Sequence, residues 1–119
     1  LADRYGLRFI MLITPETSEE RIRLIDEHTD GFIYMVSTAA TTGTQECFPD
    51  ETLRYFERIN AMELRNPRLI GFGISNPQTL RAAQRHAAGA IVGSGFIQAL
   101  GHRPTIQEAV ETLFLNLGL

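Results

Sequence analysis

The chain has 119 residues, 44% of them hydrophobic and 21% charged, the size and composition of one globular domain with one core. Its 11 basic residues against 14 acidic ones leave a formal net charge of −3, opposite in sign to the electrostatic footprint of a duplex-binding protein. The longest apolar stretches, residues 9–13 and 87–92, fall well short of the roughly 18 residues that span a bilayer, so neither nucleic acid nor a membrane is an expected partner.

The first residues, Leu1-Ala2-Asp3-Arg4-Tyr5, carry neither an initiator Met nor a basic-then-apolar signal pattern, and they read as a cut end. The run Arg8-Phe9-Ile10-Met11-Leu12-Ile13 is almost unbroken apolar and closes at Thr14-Pro15, the pattern of a strand covered on both faces. Thr17 and Glu20 have capping-box spacing, and Ile22, Leu24 and Ile25 line one side of a helix ending near His28. Gly31-Phe32-Ile33-Tyr34-Met35-Val36 is a second strand, followed by a small-residue loop over 37–43. Pro49-Asp50 then open a helix with Leu53, Phe56 and Ile59 at helical spacing. A third strand, Arg68-Leu69-Ile70-Gly71-Phe72, runs through Gly73-Ile74-Ser75 to Asn76-Pro77, an N-cap with Pro at the first helical position. The fourth, Ala90-Ile91-Val92, passes into Gly93-Ser94-Gly95 and a short helix to about Leu100. Thr105 and Glu108 cap a last helix carrying Ile106, Ala109, Val110 and Leu113.

Alternating apolar strands and amphipathic helices predict a parallel sheet with crossover helices, either a small doubly wound domain or half of an eightfold barrel. A complete (β/α)8 barrel needs about 250 residues and commonly holds phosphate in the loops after its seventh and eighth strands, with a short extra helix behind. Gly71-Phe72-Gly73, Gly93-Ser94-Gly95 and the inserted short helix reproduce that layout. The expected fold is therefore α/β, the C-terminal half of a (β/α)8 TIM barrel, about strands 5 to 8, with residues 1–119 as one domain portion of a larger barrel chain.

A phosphate is held by several backbone N–H groups converging on one place, which calls for small residues and a helix N-terminus behind them. Gly73, Gly93 and Ser94 meet that need, although the glycines would also relieve crowding at a barrel rim and Gly93-Ser94 would also start an ordinary helix. Residues 37–44 are small and uncharged, suited to a lid or to a plain surface turn. Tyr34 and Phe72 offer an aromatic wall for a flat ligand, or simply core. His28, His86 and His102 lack the paired spacing of metal ligands, so no metal is expected. Cys47 is the single cysteine, which excludes an internal disulfide and suits a reducing compartment, here the cytoplasm. Every basic residue is Arg, which excludes lysine Schiff-base chemistry within these residues. The acids Glu19, Glu20, Asp26, Glu27, Glu57 and Glu63 read as solvated faces or caps. No strand end carries an acid, so no catalytic acid–base pair is expected in this portion.

Four segments, Gly31-Phe-Ile-Tyr-Met-Val-Ser37, Thr42-Gly43, Gly71-Phe-Gly-Ile-Ser-Asn-Pro77 and Ala88-Gly-Ala-Ile-Val-Gly-Ser94, resemble, in order and spacing, the motifs of the tryptophan synthase alpha chain, C-terminal half only. The resemblance implies a lyase of tryptophan biosynthesis that cleaves indole-3-glycerol phosphate to indole and glyceraldehyde 3-phosphate. Indole would pass to a beta chain in an alpha2beta2 complex. Pyridoxal phosphate would belong to that partner, with no cofactor in this chain. By the same resemblance phosphate is held at Gly43, Gly73, Gly93 and Ser94, the indole pocket includes Tyr34, Phe72 and Ile91, and Thr42 is a lid threonine. The family's catalytic Glu and Asp belong to the other half of the barrel, so this portion alone is expected to be inactive and to need that missing half, or a second copy, to cover its open side. Thr38 and Ala40 depart from the family's lid, where a larger residue and a glycine are usual. Two alternatives are the phosphate-binding half of another sugar-phosphate barrel and a non-catalytic phosphate-binding module.

Overall fold

A computed structural model describes residues 3–37, 47–102 and 105–119. After a 3-10 turn at Asp3–Tyr5, the elements run β1 (Met11–Ile13), α1 (Glu19–His28), β2 (Ile33–Val36), α2 (Asp50–Ala61), β3 (Arg68–Gly71), α3 (Pro77–His86), β4 (Gly89–Ile91), α4 (Ser94–His102) and α5 (Ile106–Asn116). The strands form one four-stranded sheet in the order β1-β2-β3-β4, and each neighbouring pair is parallel. A doubly wound sheet reverses its strand order at a switch point. This one does not, which removes the doubly wound alternative and leaves a sector of a barrel wall.

Burial divides the two faces of the sheet. Ile13, Met35 and Ile70 occupy one register row and are fully buried. They pack against Ile22 and Ile25 of α1, Phe56 and Ile59 of α2, and Leu80 and Ala83 of α3. The adjacent row, Leu12, Tyr34, Leu69 and Gly89, points to the opposite face, where Leu12 is 56% exposed. With α1, α2 and α3 packed in the core beside that buried row, the chain is a slab of 44 × 40 × 23 Å with a radius of gyration of 15.6 Å, against the ~13.5 Å of a closed domain of this length.

Several boundaries differ from the sequence reading. The first strand is shorter than 8–13. Residues 8–10 are exposed, and the Asp30 N–H donates to the Phe9 carbonyl without that stretch joining the ladder. Phe72 and Val92 lie just past their strands, and Gly89 joins β4. The capping box at Thr17 and Glu20 does not form. Ser18 is the N-cap, accepting from the Arg21 N–H at 3.3 Å, because the Thr17 hydroxyl is taken by a turn in which it accepts from the Thr14 N–H at 2.9 Å. At α3 the expected cap is present, with the Asn76 side chain accepting from the Thr79 N–H and Pro77 at the helix start. Thr105 caps α5 by accepting from the Glu108 N–H at 3.2 Å.

At the N-terminal ends of the strands lies a knot that contradicts the reading of Asp26 as a solvated helix face. The Asp26 carboxylate, in the last turns of α1, accepts from the backbone N–H groups of Arg65 (2.8 Å) and Asn66 (2.9 Å) and from Asn66 Nδ2 (2.9 Å). Arg65 Nη2 donates back to the Asp26 and Glu27 carbonyls, both at 3.1 Å. Arg68 extends the knot to Asn66 and to Asn60 of α2. Burial works to raise the Asp26 carboxyl, but the hydrogen bonds from Asn66 and Arg65, helped by the Arg65 charge, hold it below its ordinary 3.8.

Candidate anion site at the C-terminal rim

At the opposite ends of the strands the residues that follow β2, β3 and β4 are Ser37, Phe72-Gly73 and Val92-Gly93. Because β2 pairs with β3 and β3 with β4, these turns are neighbours. Phe72 (φ 66°) and Gly73 (φ 79°) are both left-handed. Glycine takes that conformation freely, but for a residue with a Cβ it costs about 1–2 kcal/mol. The Ser37 hydroxyl donates to the Phe72 carbonyl oxygen at 2.6 Å, and the Ser37 N–H donates to the Gly71 carbonyl, so the strained turn is tied to the end of β2.

The aromatic pair of the sequence reading is brought together here. Tyr34 and Phe72 meet edge-on, with ring centroids 6.0 Å apart and planes at 60°, a favourable arrangement for aromatic quadrupoles. Phe72 is 44% exposed, and burial pushes the Tyr34 hydroxyl above its ordinary pKa. Gly71 makes the slot possible, since a Cβ there would overlap the Tyr34 ring. Ile91 pairs with Gly71 and is half-buried. By strand alternation it shares the open face with Tyr34.

Gly93 and Ser94 are both exposed. The Gly93 carbonyl accepts from the N–H groups of Phe96 and Ile97, both at 3.1 Å, and so opens α4. The first N–H groups of the helix, on Ser94 and Gly95, then have no acceptor inside it. A Cβ built on Gly93 meets no atom within 4 Å, and Gly93 is not among the positive-φ residues. Neither backbone geometry nor packing within the described chain demands a glycine there.

The helices that follow the two glycine turns also differ electrostatically from those before them. The first turns of α1 and α2 carry Glu19 and Glu20, and Asp50 and Glu51, which offset the positive helix N-terminus. The first turns of α3 and α4 carry no acid. No carboxylate in these first turns offsets their partial positive ends. At α3 the Asn76 side chain accepts from the Thr79 N–H, whereas α4 begins at the rim with the Ser94 and Gly95 N–H groups, a placement that favours an anion.

Thr38, Ala40, Thr42 and Gly43, with the rest of the expected lid after Ser37, lie outside the described residues. Cys47 is exposed. His28 bonds through Nδ1 to the Leu24 carbonyl at 2.9 Å, and His86 packs against the Phe56 ring with centroids 5.9 Å apart. Among the described residues no group of three His, Cys, Asp or Glu side chains converges as metal ligands do, and no helix is long and apolar enough to cross a membrane. Each strand is followed by an uncharged residue, namely Thr14, Ser37, Phe72 or Val92. The sequence reading did not find the Ser37–Phe72 bond. A buried serine at a strand end gives no local signal of the carbonyl, 35 residues away, that it will meet.

A sequentially ordered parallel sheet with flanking helices, and with glycine turns and acid-free helix starts at its C-terminal rim, defines half of a (β/α)8 barrel. The family model of the tryptophan synthase alpha chain matches residues 1–117, and the chain belongs to that family. It is 64% identical over 113 residues to the tryptophan synthase alpha chain of Parabacteroides distasonis, covering 95% of this chain and 44% of that one. Against the Bacteroides fragilis protein it is 56% identical over 119 residues, covering 100% and 45%. Among solved structures it resembles the tryptophan synthase a2b2 complex of Pyrococcus furiosus (TM-score 0.74, 30% identity, 98% of this chain and 46% of that one). It also resembles the A-subunit of the same organism (TM-score 0.76, 31% identity, 98% and 45%). The chain thus spans a little under half the length of the relatives it matches.

Proposed function

We propose that residues 1–119 are the carboxyl-terminal half-barrel, one domain portion, of a lyase that cleaves indole-3-glycerol phosphate to indole and glyceraldehyde 3-phosphate. Backbone groups at Gly73 and Gly93 with the Ser94 hydroxyl hold the phosphate, joined by Gly43. Tyr34, Phe72 and Ile91 form part of the indole wall, and Thr42 belongs to the lid. The observation that carries this reading is that the glycine turns after two neighbouring strands, β3 and β4, lie at one rim, the first beside the Tyr34–Phe72 pair and the second at the acid-free start of α4. The acid and base are assigned to the other half of the barrel, in keeping with the uncharged residue that follows each described strand.

The other half also supplies the missing wall. Leu12 is exposed on the open face, the outer edge of β1 has no strand beside it among the described residues, and a groove of about 350 Å³ is lined by Met11 of β1 with Arg21, Leu24, Ile25 and His28 of α1. Unpaired edges and apolar faces of this kind call for a partner, the amino-terminal half or, failing that, a second copy of this chain. The reaction is carried out in the cytoplasm with a beta chain as partner in an alpha2beta2 complex. Pyridoxal phosphate is assigned to that beta chain, and these 119 residues contain no Lys to form its Schiff base.

Calorimetric titration in low-phosphate buffer tests the reading. The complete barrel is expected to bind glycerol phosphate and to bind indole-3-glycerol phosphate more tightly, while the 119 residues alone release no indole. Equal affinity for the two ligands would favour a generic phosphate module. Turnover by the isolated residues would overturn the division of labour between the halves.

A further inference from the structure

Ser37 is fully buried at the residue after β2, and its hydroxyl donates to the carbonyl oxygen of Phe72 at 2.6 Å. That carbonyl and the N–H of Gly73 belong to the same trans peptide, whose planarity makes them point in opposite directions. Holding the oxygen on the Ser37 side therefore fixes where the Gly73 N–H points. The peptide needs holding, since it joins two left-handed residues, Phe72 and Gly73, and a turn around glycine can flip its peptide with little steric resistance.

We propose that Ser37 is a positioning residue for the anion, its hydroxyl locking the Phe72–Gly73 peptide so that the Gly73 N–H faces the phosphate. The proposal rests on the reading of Gly73 as a phosphate contact, and it adds that the contact is enforced from the neighbouring strand. The role is distinct from packing. The Phe72 ring hangs from its own Cα and meets Tyr34, so a rotation of the following peptide leaves the aromatic wall in place while turning the N–H away.

The test is made on the complete barrel chain, titrated separately with glycerol phosphate and with indole, which carries no phosphate. Ser37→Ala is expected to weaken glycerol phosphate about tenfold, the scale of one hydrogen bond to a charged group, and to leave indole within about twofold. In the unsubstituted protein, the Gly73 amide resonance is expected to shift with glycerol phosphate and not with indole, a measurement independent of how the variant folds. A Ser37→Ala protein with unchanged glycerol phosphate affinity, a parallel loss of both ligands, or an unmoved Gly73 amide in a protein that binds glycerol phosphate would each overturn the proposal alone. Failure of the unsubstituted protein to bind glycerol phosphate would overturn it together with the phosphate reading beneath it.

Discussion

The two rims of the sheet are built from different materials. The N-terminal rim is tied by side chains, with Asp26, Arg65, Asn66, Arg68 and Asn60 forming a network of charge-assisted and amide bonds between α1, α2 and β3. The C-terminal rim is built largely from main chain: glycines, a left-handed turn at Phe72-Gly73 tied by the Ser37 hydroxyl, and helix starts without acids. In barrels of this kind the first rim serves stability and the second serves ligands. Side chains that satisfy one another hold a structure closed, whereas donors left aimed outward are available to a substrate.

The difference predicts a separation of effects. The largest is expected from Gly93→Val. The new side chain meets no protein atom at its Cβ, so the melting temperature should hardly move. Glycerol phosphate affinity should nevertheless fall on the order of a hundredfold, because the branched group occupies the approach to several donors at once. A normal affinity in calorimetry would break the comparison at its functional end. Asp26→Ala should do the opposite, costing about 2–3 kcal/mol in denaturant unfolding by leaving the Arg65 and Asn66 donors without their acceptor and leaving glycerol phosphate affinity unchanged. If binding fell with stability, the two rims would not be independent.

Ser94→Ala sharpens the functional end further. Loss of one hydroxyl on a charged ligand should weaken glycerol phosphate by about 1–2 kcal/mol, while equal affinity would assign the serine to starting α4 alone. The smallest effect is in the pH dependence of stability. The Asp26 carboxyl is held below its ordinary 3.8 in the folded chain. Its contribution is therefore fully present above that value and is lost as pH falls through the lower folded value. Asp26→Asn should flatten the acid limb of the stability curve below about pH 4. An acid limb of undiminished steepness would show that other carboxylates dominate there.

Tyr55 shows how packing joins one strand–helix unit to its neighbour. Its ring leans on Phe56, and its buried hydroxyl, pushed well above the ordinary pKa by burial, donates to the Ile13 carbonyl at 3.4 Å. Nothing within a few residues of Tyr55 in the chain announces that contact. By contrast, Asn76-Pro77 and Thr105 announced their helices within a single turn of sequence, because an N-cap is satisfied by an N–H three residues away.

What the residues alone determined is whatever is settled over short distances. The alternation of apolar runs and amphipathic stretches specified strands and helices in the right order, and the glycines marked the turns that follow β3 and β4. The boundaries moved where two local partners competed, as when Thr17 joined a turn and left the cap to Ser18. Tertiary structure alone decided the pairings between distant groups. It brought Asp26 to Arg65 and Asn66, 39 and 40 residues on, and the Ser37 hydroxyl to the Phe72 carbonyl. It also decided that the sheet would keep its strands in sequential order and leave Leu12 exposed on one face. The physical reason is that periodicity and capping are properties of neighbouring residues, whereas a buried polar group is satisfied by whichever donor or acceptor the folded chain places beside it.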